Sequence, residues 1–188
     1  MSDRALLMID LFSGLGGVSQ PMLDRGWNVI RVDNDPRFQP TIVADVAEWS
    51  WRGRHPDLVW ASPPCTEFAK ASFPWVREKP LPSLALVQAA LRVIEECNPR
   101  YWAIENVRGA IRWFRPILGE PRVSFWPVFL WGYFPDLATC AHPRAYKERI
   151  SGRYPERRAK TPYAIGEALA VAIEQQLQMQ LGAQQETK

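Results

Sequence analysis

Short apolar runs separated by polar turns predict an α/β fold for most of the chain. Five runs have the length of strands, at residues 5–10, 27–33, 41–44, 58–61 and 101–104. A longer run at residues 84–94, rich in alanine and leucine, has the length of a helix and is expected to cover one face of the sheet. Strands that alternate with helical segments favour an open, mostly parallel sheet.

After Val107 the hydrophobic pattern predicts fewer regular elements. Residues 111–114 predict a short helix, and the aromatic-rich residues 123–134 predict one strand or a pair of strands. Residues 162–181 have helix-forming content, with Thr161 as the candidate N-cap and Pro162 at the first position. This helix is expected to pack back on the sheet. The residues from 182 onward are expected to form a frayed polar tail.

Length and composition indicate a folded protein with a single domain. The chain has 188 residues, of which 47% are hydrophobic and 23% are charged, as is ordinary for globular proteins. Residues 1–181 are expected to form one domain, because a second sizeable domain does not fit this length. No apolar run approaches the roughly 18 residues of a membrane span. We therefore expect a cytoplasmic protein without a membrane partner.

The three cysteines argue against a disulfide framework and against a metal site. Cys65, Cys97 and Cys140 are odd in number and widely spaced, which fits a reducing compartment. Cys140 and His142 are close in sequence, but they lack a second pair of ligands at the spacing that zinc sites use. The sequence therefore predicts no bound metal.

A polar or reactive residue lies at or just beyond the end of each predicted strand. These residues are Asp10, Asp33, Asp45, Cys65 and Glu105. In open parallel sheets the carboxyl ends of the strands meet at one edge, and ligands bind in the crevice outside that edge. The five side chains are therefore expected to line one site. The simpler alternative for each acid is that it caps a turn or the following helix.

The first strand leads into a turn that contains Gly14, Gly16 and Gly17. Such a turn lets the backbone approach a ligand closely and directs N–H groups of the next helix toward it, as in nucleotide-binding βαβ units. Asp33 lies about 20 residues further on, where such sites place the acid that binds the ribose hydroxyls. Asp35 is the alternative for this role. A turn of this kind can also serve only as a tight connection.

Cys65 follows two prolines just past the fourth strand. Proline fixes its own φ and favours extended geometry in the preceding residue, so Pro63 and Pro64 are expected to form a stiff arm with Cys65 at its tip. With its pKa lowered by nearby donors or cations, this thiol could attack an electron-poor carbon as the thiolate. The alternative is a turn with a half-buried, inert cysteine.

The net positive charge of the chain comes from one segment. The net charge is +3, and residues 142–160 contain seven basic side chains against two acidic ones. The segment is either a solvated loop or a surface that contacts phosphate groups. The sequence leaves both alternatives open.

Three motifs, each following a predicted strand, resemble in sequence and order those of the DNA cytosine-5 methyltransferase family. They are residues 10–17 (Asp-Leu-Phe-Ser-Gly-Leu-Gly-Gly), Pro63-Pro64-Cys65 and Glu105-Asn106-Val107. The resemblance implies the Rossmann-like fold of S-adenosylmethionine-dependent methyltransferases, with a mostly parallel sheet and helices on both faces. It implies S-adenosylmethionine as the cofactor, bound by Asp10, Phe12, Ser13, Gly14, Leu15, Gly16, Gly17, Asp33, Asp45 and Pro63.

The resemblance also implies a reaction. The Cys65 thiolate would add to C6 of cytosine while Glu105 supplies a proton to N3, so that C5 can accept a methyl group. Asn106 is assigned to the same catalytic group. The residues assigned to substrate binding are Pro64, Arg157 and Arg158.

Two departures from the family pattern concern the substrate. Only about fifty residues separate Val107 from Thr161, where family enzymes carry a large target-recognition region. The family's Gln-x-Arg-x-Arg motif is absent, and Arg157 and Arg158 are its nearest substitutes. We expect nucleic acid as the substrate, with DNA favoured over RNA. The alternatives are methylation of free pyrimidine nucleotides and a non-catalytic cofactor-binding subunit that needs a partner for recognition.

Overall fold

The computed structural model describes residues 4–78, 81–125, 128–137 and 161–186, and its described strands form one sheet. The strands are β1 (Leu7–Leu11), β2 (Asn28–Asp33), β3 (Ile42–Val43), β4 (Leu58–Ala61), β5 (Tyr101–Val107), β6 (Val123–Phe125) and β7 (Val128–Tyr133). The helices are α1 (Ser19–Asp24), α2 (Thr66–Ser72), α3 (Ala85–Cys97), α4 (Ile111–Leu118) and α5 (Tyr163–Glu186). Two short 3-10 helices lie at Pro36–Phe38 and Arg108–Ala110.

The strand order β3-β2-β1-β4-β5-β7-β6 places the first strand inside the sheet. β1 pairs in parallel with β2 and β4, β2 with β3, and β4 with β5, whereas β7 runs antiparallel between β5 and β6. The chain therefore moves outward from β1 to β3 and then returns to β4 on the other side of β1. Ligands of open α/β sheets bind at the carboxyl ends of the strands beside such a switch point.

Alternate residues of the central strands pack into two apolar layers. Ile9 and Val59 contribute to the layer that contains side chains of α3 and α4. Met8 and Trp60 contribute to the layer that contains side chains of α1 and α5. All four side chains are fully buried, and strands buried on both faces form continuous apolar runs in sequence. The predicted fold class, a mostly parallel sheet with helices on both faces, is confirmed.

Several predicted boundaries were wrong. β3 is limited to Ile42–Val43, the two residues that pair with β2, instead of residues 41–44. β5 continues through Val107 because residues 105–107 pair with the antiparallel β7, which a local pattern cannot show. The helix predicted at residues 111–114 extends to Leu118.

Helix α2 begins directly after Cys65 and was not predicted. Phe68 and Ala71 are its buried residues, and their spacing of three is the helical signal that the run of nearby prolines obscured. Phe68 contacts the ring of Phe114 edge-on, with the ring centroids 5.1 Å apart. This contact fixes α2, and therefore the region after Cys65, against α4.

Helix α5 packs against the same face of the sheet as α1 and extends beyond its predicted end. Ile165, Leu169 and Ile173 are buried in the layer shared with α1, at the spacing of an amphipathic helix. The helix continues to Glu186, so the tail predicted from residue 182 is helical over most of its length. None of the described helices is both long and apolar enough to cross a membrane.

Gly166 lets α5 pack closely against α1. A Cβ atom at this position would lie 2.6 Å from both Pro21 Cγ and the Val18 carbonyl oxygen. Gly166→Ala should therefore lower the free energy of unfolding by about 1–3 kcal/mol, the usual cost of overpacking. Urea denaturation followed by circular dichroism measures this change.

Gly182 in the same helix provides the matched control. A Cβ atom there would meet no heavy atom within 4 Å, so Gly182→Ala should raise stability by up to about 1 kcal/mol through helix propensity alone. Equal effects of the two substitutions would contradict the close contact between α1 and α5.

Candidate active site

A cleft of about 440 Å³ lies at the carboxyl ends of β1, β2, β4 and β5. It brings together most of the residues that the sequence assigned to a site. Those that line it are Asp10, Phe12, Ser13, Gly14, Leu15, Gly17, Asp33, Asp45, Pro63, Pro64, Cys65 and Glu105. The expected convergence of strand ends on one crevice is therefore observed.

Two of the assigned residues that the structure describes do not line the cleft. Gly16 faces the Arg31 guanidinium, whose Cζ would lie 3.1 Å from an added Cβ. Asn106 is fully buried, because successive side chains of a strand point to opposite faces and its neighbour Glu105 points to the cleft. Arg157 and Arg158 lie outside the described residues, as do Cys140, His142 and the rest of the basic segment.

The cleft also contains residues that sequence reasoning missed. They are Val18, Asn34, Phe38, Ala44, Val46, Ser62, Thr66 and Leu86. Asp35, the alternative to Asp33, and Thr161, the candidate N-cap, line it as well. Ala44 and Val46 flank Asp45 in sequence, which was an available signal. Phe38 and Leu86 come from a 3-10 helix and from α3, and only the tertiary fold shows that they belong to the site.

The turn after β1 is held in shape by the acid at the end of β2. Phe12, Gly14 and Gly16 have φ values of 57°, 48° and 67°, in the left-handed region that glycine adopts easily. The Gly14 N–H donates to Asp33 Oδ2 at 2.8 Å, and the Asp35 N–H donates to Asp33 Oδ1 at 2.9 Å. Asp33 thus joins the glycine turn to β2.

Arg31, in β2, also holds the glycine turn in place. Its Nη2 donates to the carbonyl oxygens of Gly14 and Phe38. These bonds connect the glycine turn to the short helix at Pro36–Phe38. Three segments around one end of the cleft are therefore held together by Asp33 and Arg31.

Ser13 has an unsatisfied hydroxyl in the cleft. Its side chain is 8% exposed, and its Oγ has no hydrogen-bond partner within the described part of the chain. Buried polar atoms are normally paired, so this hydroxyl is available to bond a polar group of a ligand. The turn therefore fits a ligand with hydrogen-bonding groups.

Asp10, at the base of the cleft, connects β1 to α1. Its carboxylate accepts a hydrogen bond from Ser19 Oγ at the start of α1. Burial raises the pKa of Asp10 to about 7, and the Ser19 bond offsets part of that effect. Asp10 thereby fixes α1 relative to β1.

Cys65 lies at the tip of the proline arm, directly before α2, and is half-buried. Burial and the negative charge of Glu105 raise the pKa of its thiol. The expectation that neighbouring cations lower this pKa was wrong for the part of the chain described, where the main charged influence is a carboxylate. An ionised Cys65 is therefore easier to form when Glu105 carries a proton.

Asn106 holds the proline arm in place. Its Nδ2 donates to the Pro63 carbonyl oxygen at 2.9 Å, and its Oδ1 accepts from the Val107 N–H at 2.9 Å. Asn106 thus joins β5 to the arm that carries Cys65, and it is not among the residues that line the cleft. Its catalytic role stays a prediction.

Glu105 projects into the cleft from within β5. Its neighbour Ile104 pairs with Ala61 at the end of β4, which places Glu105 beside the start of the proline arm. Burial raises the pKa of Glu105 to about 7, and a side-chain hydrogen bond with Ser62 works in the opposite direction. A carboxyl group with such a pKa can donate or accept a proton near neutral pH.

The sheet order, the glycine turn after β1 and the acid that ends β2 define the Rossmann-like fold of the S-adenosylmethionine-dependent methyltransferases. A probable DNA (cytosine-5)-methyltransferase of Frog virus 3 is 27% identical to this chain, over 67% of this chain and 65% of the viral protein. The resemblance to the DNA cytosine-5 methyltransferases that the three motifs indicated is thereby confirmed.

Two further comparisons found similar proteins. The type II methyltransferase M.SacI of Streptomyces achromogenes is 40% identical over 29% of this chain and 14% of its own length. A prophage-encoded Escherichia coli protein, described as a DNA modification methyltransferase, has a TM-score of 0.49 at 21% identity, over 69% of this chain and 47% of that protein. No family model matches the chain. The chain thus spans less than two thirds of each of these relatives.

Proposed function

We propose that this protein transfers a methyl group from S-adenosylmethionine to C5 of cytosine in DNA. The observation that carries the proposal is that Cys65 and Glu105 line the same cleft as the glycine turn and Asp33. A nucleophile and a proton donor therefore lie beside a turn suited to a nucleotide-like ligand. The name of the viral relative supports cytosine in DNA as the substrate.

The residues present fit S-adenosylmethionine as the cofactor. The unpaired Ser13 hydroxyl and the glycine turn offer hydrogen bonds to its amino-acid end, and Asp33 offers a carboxylate to its ribose. Phe38, Val46 and Leu86 offer apolar surface for its adenine ring. When bound, the cofactor supplies an electrophilic methyl group.

Cys65 and Glu105 divide the activation of cytosine between them. The Cys65 sulfur forms a bond to C6 while Glu105 gives its proton to N3, and the ring electrons thereby make C5 nucleophilic. After C5 has gained the methyl group it loses its proton to water. The sulfur–C6 bond then breaks, N3 returns its proton to Glu105, and Cys65 leaves as the thiolate.

A transfer assay with four substrates tests the proposal. The protein is incubated with radiolabelled S-adenosylmethionine and, separately, duplex DNA, single-stranded DNA, RNA and dCMP, and the product is identified by mass spectrometry. We expect 5-methylcytosine in DNA. Methylation of dCMP at an equal rate would replace DNA by free nucleotides as the substrate. Cofactor binding without any transfer would instead support a non-catalytic subunit that needs a partner.

Substitution of Asp33 tests the cofactor site. Asp33→Ala should weaken binding of S-adenosylhomocysteine by about 10- to 100-fold, since hydrogen bonds to a charged group contribute about 1.5–3 kcal/mol. Calorimetry of the folded variant measures the change. Asp33→Asn keeps an oxygen that can accept from the Gly14 N–H, and it separates loss of charge from loss of the turn.

Asp35 is the matched control for Asp33. Both residues line the cleft, but the Asp35 carboxylate is already paired with Arg37 through bonds of 2.6–3.0 Å. Asp35→Ala should therefore change the affinity much less. A loss of affinity in Asp35→Ala with normal binding in Asp33→Ala would move the ribose role to Asp35.

A further inference from the structure

Ser62 lies between a buried tryptophan and the carboxyl group of Glu105. Trp60 is fully buried, and its Nε1–H donates to Ser62 Oγ at 2.7 Å. Ser62 also lines the cleft that contains Glu105, and its hydroxyl group lowers the pKa of the Glu105 carboxyl group. The three side chains therefore follow one another from the core to the proposed proton donor.

The pairing of the strands fixes this arrangement. In the parallel pair of β4 and β5, Trp60 pairs with Ala103 and Ala61 pairs with Ile104, so Ser62 and Glu105 occupy the next position of the same ladder. The Ser62 N–H also donates to the Leu11 carbonyl oxygen at 3.1 Å. The backbone of Ser62 is thus held by β1 on one side.

The chemistry of the three groups sets the direction of the hydrogen bonds. An indole N–H can only donate, so Ser62 Oγ must accept from Trp60. A hydroxyl group has a single hydrogen, and the hydrogen of Ser62 is left for Glu105. A hydroxyl that donates to a carboxyl group favours the ionised form of that group.

We propose that Ser62, oriented by Trp60, is a positioning residue that aims the Glu105 carboxyl group into the cleft and stabilises its ionised form. The effect of Ser62 on catalysis rests on the proposed function, in which Glu105 gives its proton to N3 and becomes an anion. Without Ser62 the Glu105 carboxylate would lack a hydrogen-bond donor that offsets the cost of burying its charge. Glu105 would then hold its proton more tightly and release it to the substrate less readily.

Among the described residues around Glu105, Ser62 is the group that favours the ionised form of the carboxyl group. The partner of Glu105 on β7 is the apolar Leu130. The titratable side chains that share the cleft with Glu105 are Cys65, Asp10, Asp33, Asp35 and Asp45. None of them is a cation, so among the described residues of the cleft no positive charge favours ionisation of Glu105, whereas Ser62 does.

Titration of Glu105 in the free protein tests the proposal directly. Protein labelled with 13C at glutamate carboxyl groups is titrated by NMR, and the Glu105 signal is assigned by its absence in Glu105→Gln. Ser62→Ala should raise the midpoint by about one pH unit, as expected for loss of one bond to a charged group. Ser62→Thr keeps the hydroxyl and should restore the wild-type midpoint.

Two more variants control for general damage to the fold. Ser72→Ala removes a hydroxyl that donates to the Ala69 carbonyl oxygen at the end of α2, and it should leave the Glu105 midpoint unchanged. Trp60→Phe keeps an aromatic ring in the core but removes the N–H donor, and it should raise the midpoint less than Ser62→Ala. A midpoint that stays at the wild-type value in Ser62→Ala and Trp60→Phe would overturn the proposal.

The methylation rate distinguishes failure of this inference from failure of the proposed function. If both are right, the pH at which the rate levels off should rise in Ser62→Ala by the same amount as the NMR midpoint. A shifted midpoint in a protein that methylates none of the four substrates would leave the Ser62 link intact and remove the proposed activity. An active protein with an unshifted Glu105 midpoint would support the proposed activity and overturn the role of Ser62.

Discussion

Replacing Cys65 by serine should lower the methylation rate by at least about 10³-fold, as expected when a covalent nucleophile is lost. A serine hydroxyl at this position ionises far less readily than a thiol, so the bond to C6 of cytosine should not form at a useful rate. Binding of S-adenosylhomocysteine should stay close to the wild-type value, because the glycine turn and Asp33 are unchanged. Initial rates and calorimetry on the same preparation measure the two effects.

The covalent step has its own signature. DNA with 5-fluorocytosine at the target position carries no C5 proton that can leave, so the sulfur–C6 bond should persist as a stable complex. Denaturing electrophoresis should show this complex for the wild-type protein and not for Cys65→Ser. Methylation of ordinary cytosine without any trapped complex would contradict the covalent route.

Cys97 is the matched control for Cys65. It is buried in α3, 2% exposed, and burial raises its pKa to about 12, so it is unsuited to act as a nucleophile. Cys97→Ala should leave the rate per folded molecule unchanged and only reduce stability. Loss of activity in both variants to the same extent would indicate damage to the fold and not loss of a nucleophile.

The sequence predicted the cleft well because its residues lie at the ends of strongly apolar strands. A continuous apolar run locates such a strand in the sequence, and parallel strands bring their carboxyl ends to one edge of the sheet. Asp33 and Cys65 could therefore be placed at the same crevice without any knowledge of tertiary contacts. The same argument correctly placed Glu105, although its strand continues for two residues beyond it.

The features that were missed depend on contacts between distant segments. Asn106 was assigned a catalytic role from its motif, but its bond to Pro63 is visible only when β5 lies beside the arm. Phe38 and Leu86 reach the cleft from elements whose local patterns carry no ligand signal. The raised pKa of the Cys65 thiol likewise depends on burial and on Glu105, which lies forty residues away in sequence.

The ionisation of Cys65 depends on the protonation state of Glu105. The negative charge of Glu105 raises the pKa of the Cys65 thiol, so a protonated Glu105 makes the thiolate easier to form. The same protonated form is the one that can donate to N3 of cytosine. One protonation state of Glu105 therefore favours both halves of the first step.

Replacing Glu105 by glutamine should reduce the methylation rate by about 10²- to 10⁴-fold, the range for loss of a general acid. Glutamine can donate a hydrogen bond to N3 but cannot transfer a proton, so the charge that enters the ring is only partly neutralised. Glu67→Gln is the matched control, since Glu67 is exposed at the start of α2 and accepts from the Ser83 N–H, as a glutamine oxygen also can. Its rate should equal that of the wild type.

The pH dependence identifies the role of Glu105 more sharply than the size of the loss. The pKa of Glu105 is about 7, so the protonated fraction of Glu105 should fall as pH rises above 7. The pKa of the Cys65 thiol is raised, so the thiolate fraction should still increase over that range and offset this fall. The wild-type rate should therefore rise up to about pH 7 and then level off. In Glu105→Gln the levelling near pH 7 should disappear, and the residual rate should continue to rise with pH as Cys65 ionises. A rate that still levels off near pH 7 in this variant would show that another group supplies the proton to N3.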